Sequence, residues 1–268
     1  MKFLIFGDIV GKTGRRAVAQ LLPQLKRELA PDLVIANGEN VAHGVGISMK
    51  TAQQLYDAGV EFLTTGNHVF DKQDQVDQVF AAHTGKIIRP ANFEGTYPGD
   101  GWAALKAAGQ TVVIANFNSQ VFMEHQFQGL IASPFTAFDR VLQEAPKSAI
   151  LLVDFHSEAT SEKRGFGFYL DGRATVVWGT HTHIQTADAQ ILPGGTAYIS
   201  DVGMTGAADS ILGVKKEAAL TRFLQGNGAK LDVDEGNEAE VGYIIVEVDD
   251  KTRKARSITA RLERIKLK

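Results

Sequence analysis

The chain contains no cysteine. That absence removes disulfides, thiolate metal sites and cysteine nucleophiles, and it fits a cytoplasmic protein. Long apolar runs are also missing: nothing approaches the roughly 20 residues needed to cross a bilayer, so no membrane partner is expected. The N-terminal run Phe3-Leu4-Ile5-Phe6 ends in Gly7-Asp8, and a run that short is not expected to be the core of a signal peptide. Nor is there a basic excess. The 28 Lys and Arg face 31 Asp and Glu, and a formal charge of -3 supplies no global field toward nucleic acid or anionic lipid. With 44% hydrophobic residues in 268, the chain can bury a sizeable core without staples. No repeat, low-complexity tract or long linker divides it, so a single domain over 1–268 is expected. Any metal or phosphate chemistry must use Asp, Glu, His, Asn and backbone groups.

Strand and helix signals alternate through the first half. Phe3 to Phe6, Leu33 to Ala36 and Glu61 to Thr64 are short apolar runs of the kind buried on both faces. Between them, Val18, Leu21, Leu22, Leu25 and Leu29 recur at helical spacing, with Pro23 expected to kink that helix or open a new first turn. Ser48 can cap a helix through Ala58 that stops at Gly59, and Asp71 can cap another through Ala82. Ile87 and Ile88 form a short strand before Pro90. Trp102 to Lys106 and Thr111 to Ala115 flank a hairpin turn at Gly109. Phe135 to Leu142 reads as helix; Ala149 to Phe155, Ala174 to Trp178 and Ala197 to Ser200 read as strands. Val241 to Val248 and Ala255 to Leu262 make a second hairpin, expected at a sheet edge, through which a sheet could extend across a homo-oligomer. The mixture of βαβ units and hairpins predicts an α/β fold of two packed mixed sheets covered by helices.

Five polar clusters each follow an apolar strand run: Asp8 in Gly7-Asp8, Gly38-Glu39-Asn40, Gly66-Asn67-His68, His156 after Asp154-Phe155, and His181-Thr182-His183 after Gly179-Thr180. Ligand sites of α/β sheets lie beyond the carboxyl ends of the strands, so neighbouring strands would bring all five together. Each alone has an ordinary explanation, since a strand-end Asp is often a helix cap and a lone His often a core hydrogen-bonding group. Together, two carboxylates, two amides and three imidazoles, with His68 beside them, make an O/N donor set that suits manganese, iron or zinc. Glycine before Asp8, Glu39 and Asn67 permits tight turns and close approach.

This order of motifs resembles the calcineurin-like metallophosphoesterases, and within them the bacterial 2',3'-cyclic-nucleotide 2'-phosphodiesterase branch. Arg89-Pro90-Ala91-Asn92-Phe93, Glu158-Ala159-Thr160-Ser161-Glu162-Lys163 and Asp201-Val202-Gly203-Met204-Thr205-Gly206 extend the resemblance from Phe3 to about Gly213. Two departures from the wider superfamily fit the bacterial branch: Asp8 is followed by Ile9-Val10 where an x-His is usual, and Glu39 stands where an Asp usually bridges. They harden the donor set, which favours iron or manganese over zinc. The resemblance implies one metal on Asp8, Asn40 and His183, a second on Asn67, His156 and His181, Glu39 bridging, and His68 as general acid. It implies hydrolysis of a small-molecule phosphodiester, a 2',3'-cyclic nucleotide, by a metal-bound hydroxide between ions about 3.5–4 Å apart. RNA ends are a further partner class. A phosphomonoesterase, protein phosphatase or nuclease of the same fold is the enzyme alternative, because ligands do not set substrate choice. A metal-stabilised regulatory or RNA-associated protein is the non-enzymatic one.

Other features carry less. Gly7 to Thr13 resembles a phosphate loop but has three residues between its glycines where four are required, so a solvated turn is expected. His43 reads as a loop residue, and His83 and His125 as exposed. Arg89 and Asn92 read as turn residues at least as well as phosphate contacts. The charges of Glu158 to Lys163 line a cleft or are solvated. Asp201 is left outside the ligand set.

Overall fold

The computed structural model describes residues 1–71, 73–123, 130–226 and 230–268, the side chains at 73 and 74 excepted. His125 lies outside the described residues. In chain order the elements are β1 (Lys2–Ile9), α1 (Gly11–Leu29), β2 (Leu33–Asn37), α2 (Met49–Ala58), β3 (Phe62–Thr64), α3 (Gln73–Ala82), β4 (Trp102–Ala107), β5 (Gln110–Asn118) and α4 (Pro134–Glu144). Then follow β6 (Ile150–His156), α5 (Thr160–Leu170), β7 (Val176–Thr180), β8 (Gln190–Ile191), β9 (Ala197–Ile199), β10 (Met204–Ala207), α6 (Lys216–Gln225), β11 (Glu238–Val248) and β12 (Ala255–Lys266).

Two six-stranded sheets result, ordered β12-β11-β10-β1-β2-β3 and β4-β5-β6-β7-β9-β8. Each is mixed, with a parallel centre: β10, β1, β2 and β3 in one, and β5, β6, β7 and β9 in the other. The period-2 alternation of strand side chains explains the layers. Phe3, Ile5, Leu33 and Ile35 of the first sheet meet Ile114, Leu152, Val176 and Trp178 of the second in a central core. Their neighbours Leu4, Phe6, Val34 and Ala36 face outward onto Val18 and Leu22 of α1 and Leu55 of α2. Val113, Val153 and Val177 face outward onto Phe138 of α4 and Phe166 of α5. Both faces of each central strand are thus apolar, which is why those strands read as continuous hydrophobic runs.

Local signals hold closely. Ser48 accepts a hydrogen bond from Thr51 N and Gly59 takes φ 103° past the last turn of α2. Ser48→Ala should cost about 1 kcal/mol by chemical denaturation, whereas no change would mean Thr51 alone satisfies the helix start. Helix α1 runs unbroken through Pro23. At the C-terminal hairpin the edge is β12 alone, because β11 bonds to β1 and β10 as well. Among the described residues no helix is long and apolar enough to cross a membrane.

Candidate metal centre

The parallel strands β1, β2, β3, β6 and β7 deliver their polar residues to one end of the sandwich. A buried polar seam stitches the two sheets there: Asn37 Nδ2 donates to Asp154 Oδ2 at 3.3 Å, Thr64 Oγ1 to the same oxygen at 2.5 Å, and Thr65 N to Asn116 Oδ1 at 3.3 Å. Around it Asp8, Glu39 and His156 are fully buried, and Asn40 and Asn67 are each 3% exposed.

Two groups of side chains form with Glu39 between them. In one, His183 Nε2 lies 3.9 Å from Asp8 Oδ1 and 3.4 Å from Asn40 Nδ2. In the other, His156 Nε2 lies 2.8 Å from Asn67 Oδ1 and 3.1 Å from His181 Nδ1. Glu39 Oε1 reaches both, 3.2 Å from Asn40 Nδ2 and 3.0 Å from His156 Nε2. A carbonyl role for Asn40 toward an ion takes the flipped amide, an alternative of equal shape.

The donor set fits a cation by its proton count. His156 Nδ1 sits 2.8 Å from Thr180 Oγ1, whose own hydroxyl donates to Asp154 Oδ1 at 2.7 Å. Thr180 therefore accepts from Nδ1–H, and the ring turns Nε2 toward Glu39, Asn67 and His181, where it becomes a lone pair when the second proton leaves. His181 Nε2 lies 3.1 Å from Glu158 Oε2, so its Nδ1 is the free lone pair. Glu39, Asn67, His156 and His181 then converge with at most one proton, on His156 Nε2, between them, an arrangement that a metal ion satisfies. Asp8 Oδ1 and Asn67 Nδ2 are buried with no hydrogen-bond partner among the described residues.

Electrostatics agree. Burial raises the Asp8 pKa against the pull of His183 and His156. Burial works against the ionised form of Glu39 too, but His156 and His68 outweigh it and hold it at about 2. His156 is raised to about 9, since Glu39, then Asp8 and Asp154, overcome its burial. Burial and the neighbouring His156 push His181 down to about 2, keeping it neutral. The proton on His156 thus stands where a cation would sit. Because that pKa lies above the ordinary 6.5, metal uptake at neutral pH should release a proton, and affinity should climb with pH until about 9. Calorimetric titration of Mn²⁺ in buffers of different ionisation enthalpy measures this; heats independent of the buffer would contradict it.

Two glycines are required for the approach of the loops. A Cβ at Gly66 would stand 2.4 Å from the His156 ring and 2.5 Å from Glu39 Oε2, and one at Gly7 1.8 Å from Gly203 O. Gly38 does not share that role, since a Cβ there would meet Leu63 and Ile47 at ordinary contact, 3.4 and 3.6 Å. Both loop histidines adopt left-handed backbone, φ 97° at His181 and 64° at His183, conformations that cost about 1–3 kcal/mol each unless the surroundings impose them.

His68 stands at the rim with its side chain 34% exposed. Its backbone N donates to Glu39 Oε2 at 2.8 Å, and its Nδ1 lies 2.7 Å from Asp71 Oδ2. Burial alone would lower its pKa, but Asp71 and Glu39 raise it. The sequence offers Asp71 as a helix cap; its carboxylate also lies against His68, three residues earlier.

Lys163 corrects a further expectation. It is 2% exposed and pairs with the fully buried Asp201, so it is neither solvated nor lining a cleft. Asn92 is structural, bridging Asn118 O and Ala132 O at 2.7 and 2.8 Å, and Arg89 donates to Pro90 O at 2.9 Å. His83 is half-buried against Tyr56, with ring centroids 4.6 Å apart, rather than exposed. Lys12 is exposed, 3.6 Å from Glu235. A cavity of about 880 Å³ between α1 and α2, lined by Lys12, Arg15, His43 and Lys50 among others, includes none of the eight candidate residues.

The model of the YmdB-like protein family matches residues 4–261. The chain belongs to that family. A 2',3'-cyclic-nucleotide 2'-phosphodiesterase of Bacillus subtilis (strain 168) is 41% identical over 266 residues, 99% of this chain and 96% of the relative. Among solved structures, a novel phosphatase from Mycoplasma pneumoniae superposes with a TM-score of 0.91 at 32% identity, covering 99% of this chain and 94% of that one. A hypothetical protein from Thermus thermophilus gives 0.89 at 36% identity, covering 98% and 99%. For this YmdB-like chain, the expected fold of two mixed sheets flanked by helices is the fold observed, and the family resemblance read from its motifs holds.

Proposed function

We propose that the chain is a binuclear-metal phosphodiesterase that hydrolyses 2',3'-cyclic nucleotides, with Asp8, Asn40 and His183 on one ion, Asn67, His156 and His181 on the other, Glu39 between them and His68 as general acid. The supporting observation is the buried meeting of four oxygen and nitrogen donor groups, Glu39, Asn67, His156 and His181, at the loop ends, in a chain 41% identical to a cyclic-nucleotide phosphodiesterase. Bound there, divalent ions would supply Lewis acidity toward phosphoryl oxygens and acidify a water.

The chain's own residues perform the rest. Asp154 and Thr180 hold His156 by Nδ1 and Glu158 holds His181 by Nε2, so His181 offers its lone pair directly and His156 offers Nε2 once its second proton has left. Asp71 and Glu39 raise the pKa of His68, which favours the protonated ring that a general acid needs. With Nδ1 taken by Asp71, Nε2 is the remaining nitrogen for the departing 2' oxygen, leaving a 3'-phosphate. The mixed O/N set, rich in carboxylate and amide, favours iron or manganese over zinc.

Elemental analysis of the purified protein, paired with assays on 2',3'-cAMP, 3',5'-cAMP, bis-p-nitrophenyl phosphate, p-nitrophenyl phosphate and single-stranded RNA, tests this reading. Two transition-metal ions per chain with turnover of 2',3'-cAMP are expected. Activity on the monoester alone would overturn the substrate assignment, and metal-loaded protein inert toward every ester would overturn the enzymatic one.

A further inference from the structure

The loop that carries His181 and His183 lies against a buried ion pair that belongs to neither proposed ligand group. Lys163, in the first turns of α5, is 2% exposed, and Asp201, beyond β9, is fully buried. Lys163 Nζ lies 2.5 Å from Asp201 Oδ2 and donates to Thr180 O at 3.0 Å, the carbonyl just before His181. The same carboxylate oxygen accepts from Thr182 N at 3.1 Å and Thr182 Oγ1 at 2.8 Å, the residue between the two histidines. Its other oxygen accepts from Gly203 N at 2.8 Å.

A buried charge pair costs desolvation, and apolar side chains of similar volume fill such space at least as well. Here the pair is spent on three backbone or hydroxyl groups of residues 180–182. Those are the residues where the chain enters the left-handed conformation, with His181 at φ 97° and His183 at φ 64°. Further bonds hold the loop, among them His181 N to Asp8 Oδ2 at 3.0 Å, Met204 N to His183 O at 3.0 Å and Ser157 N to Thr180 O at 3.3 Å.

We propose that Lys163 and Asp201 are a positioning pair, which fixes the backbone from Thr180 to Thr182 and thereby sets how tightly the two imidazoles hold their metals. The proposal rests on the metal reading above. Removing groups that orient ligands typically weakens metal binding about 10–100-fold.

The test uses the full chain as wild type, Lys163→Met, Asp201→Asn and the double variant, in which no buried charge is left unpaired. Thr182→Val is added because it removes one hydroxyl and leaves the ion pair intact. Mn²⁺ affinity is read by equilibrium dialysis, the coupling of the two ions by low-temperature electron paramagnetic resonance, and folding by thermal denaturation. Folded variants should bind Mn²⁺ about 10–100-fold more weakly, with a changed resonance signature and activity that returns as Mn²⁺ is raised. Thr182→Val should show the same trend, several-fold. Variants that melt lower yet bind Mn²⁺ with wild-type affinity and signature would reduce the pair to a structural role and overturn the proposal alone. A wild type that takes up no Mn²⁺, Fe²⁺ or Zn²⁺ would instead overturn the metal reading, and this proposal with it.

Discussion

Replacing Glu39 with alanine should empty the centre and abolish turnover. Glu39 is fully buried and touches both halves of the site, through Asn40 and His156, while also receiving the backbone N of His68. No other carboxylate among the described residues makes that set of contacts. Metal contributes several kcal/mol to transition-state stabilisation, and at about 1.4 kcal/mol per decade its loss lowers kcat/KM by roughly 10³-fold or more. The melting temperature gives a second readout, since a ligand that binds only the folded state raises it in proportion to the logarithm of its concentration. Wild type should melt higher as Mn²⁺ is added, and Glu39→Ala should not respond. A variant that keeps two metals per chain would remove Glu39 from the bridging position.

His68→Ala should separate the two functions. His68 stands outside both ligand groups, so metal content should stay at the wild-type level. Turnover of 2',3'-cAMP, whose leaving alkoxide needs a proton, should fall about 10²–10⁴-fold. Bis-p-nitrophenyl phosphate, which expels a stable phenolate, should lose far less. Equal losses on the two substrates would argue against proton donation by His68. The pH profile adds a signed test. Because Asp71 and Glu39 raise the pKa of His68 above its ordinary 6.5, the protonated form persists to higher pH than in a free imidazole and the alkaline limb of activity shifts upward. Asp71→Asn removes the negative charge that raises it and leaves a neutral acceptor in its place, so that limb should move to lower pH with metal content unchanged.

Much of this was legible in the linear sequence because the signals are local. Apolar runs marked the central strands, Ser48 and Gly59 bounded α2, and Gly109 turned the β4–β5 hairpin with φ 80°. The candidate residues were legible for the same reason: each stands at a strand end, where an α/β sheet offers its ligands. What stayed hidden depends on partners far apart along the chain. Lys163 in a first helical turn reads as solvated until Asp201, 38 residues on, is seen folded against it. Asp154 reads as a strand residue until Thr64, 90 positions earlier, and Thr180 reach its two oxygens.

The sequence by itself determined the element order, the alternation that makes two doubly covered sheets, and the identity of the polar groups at their carboxyl ends. Only the tertiary structure decided which of those groups face one another, which ring nitrogen each histidine turns inward, and which buried charges hold the loop from behind. The reason is physical. Backbone and period-2 preferences act over a few residues, whereas tautomers, burial and pKa shifts arise from neighbours that the packing of one sheet on another supplies.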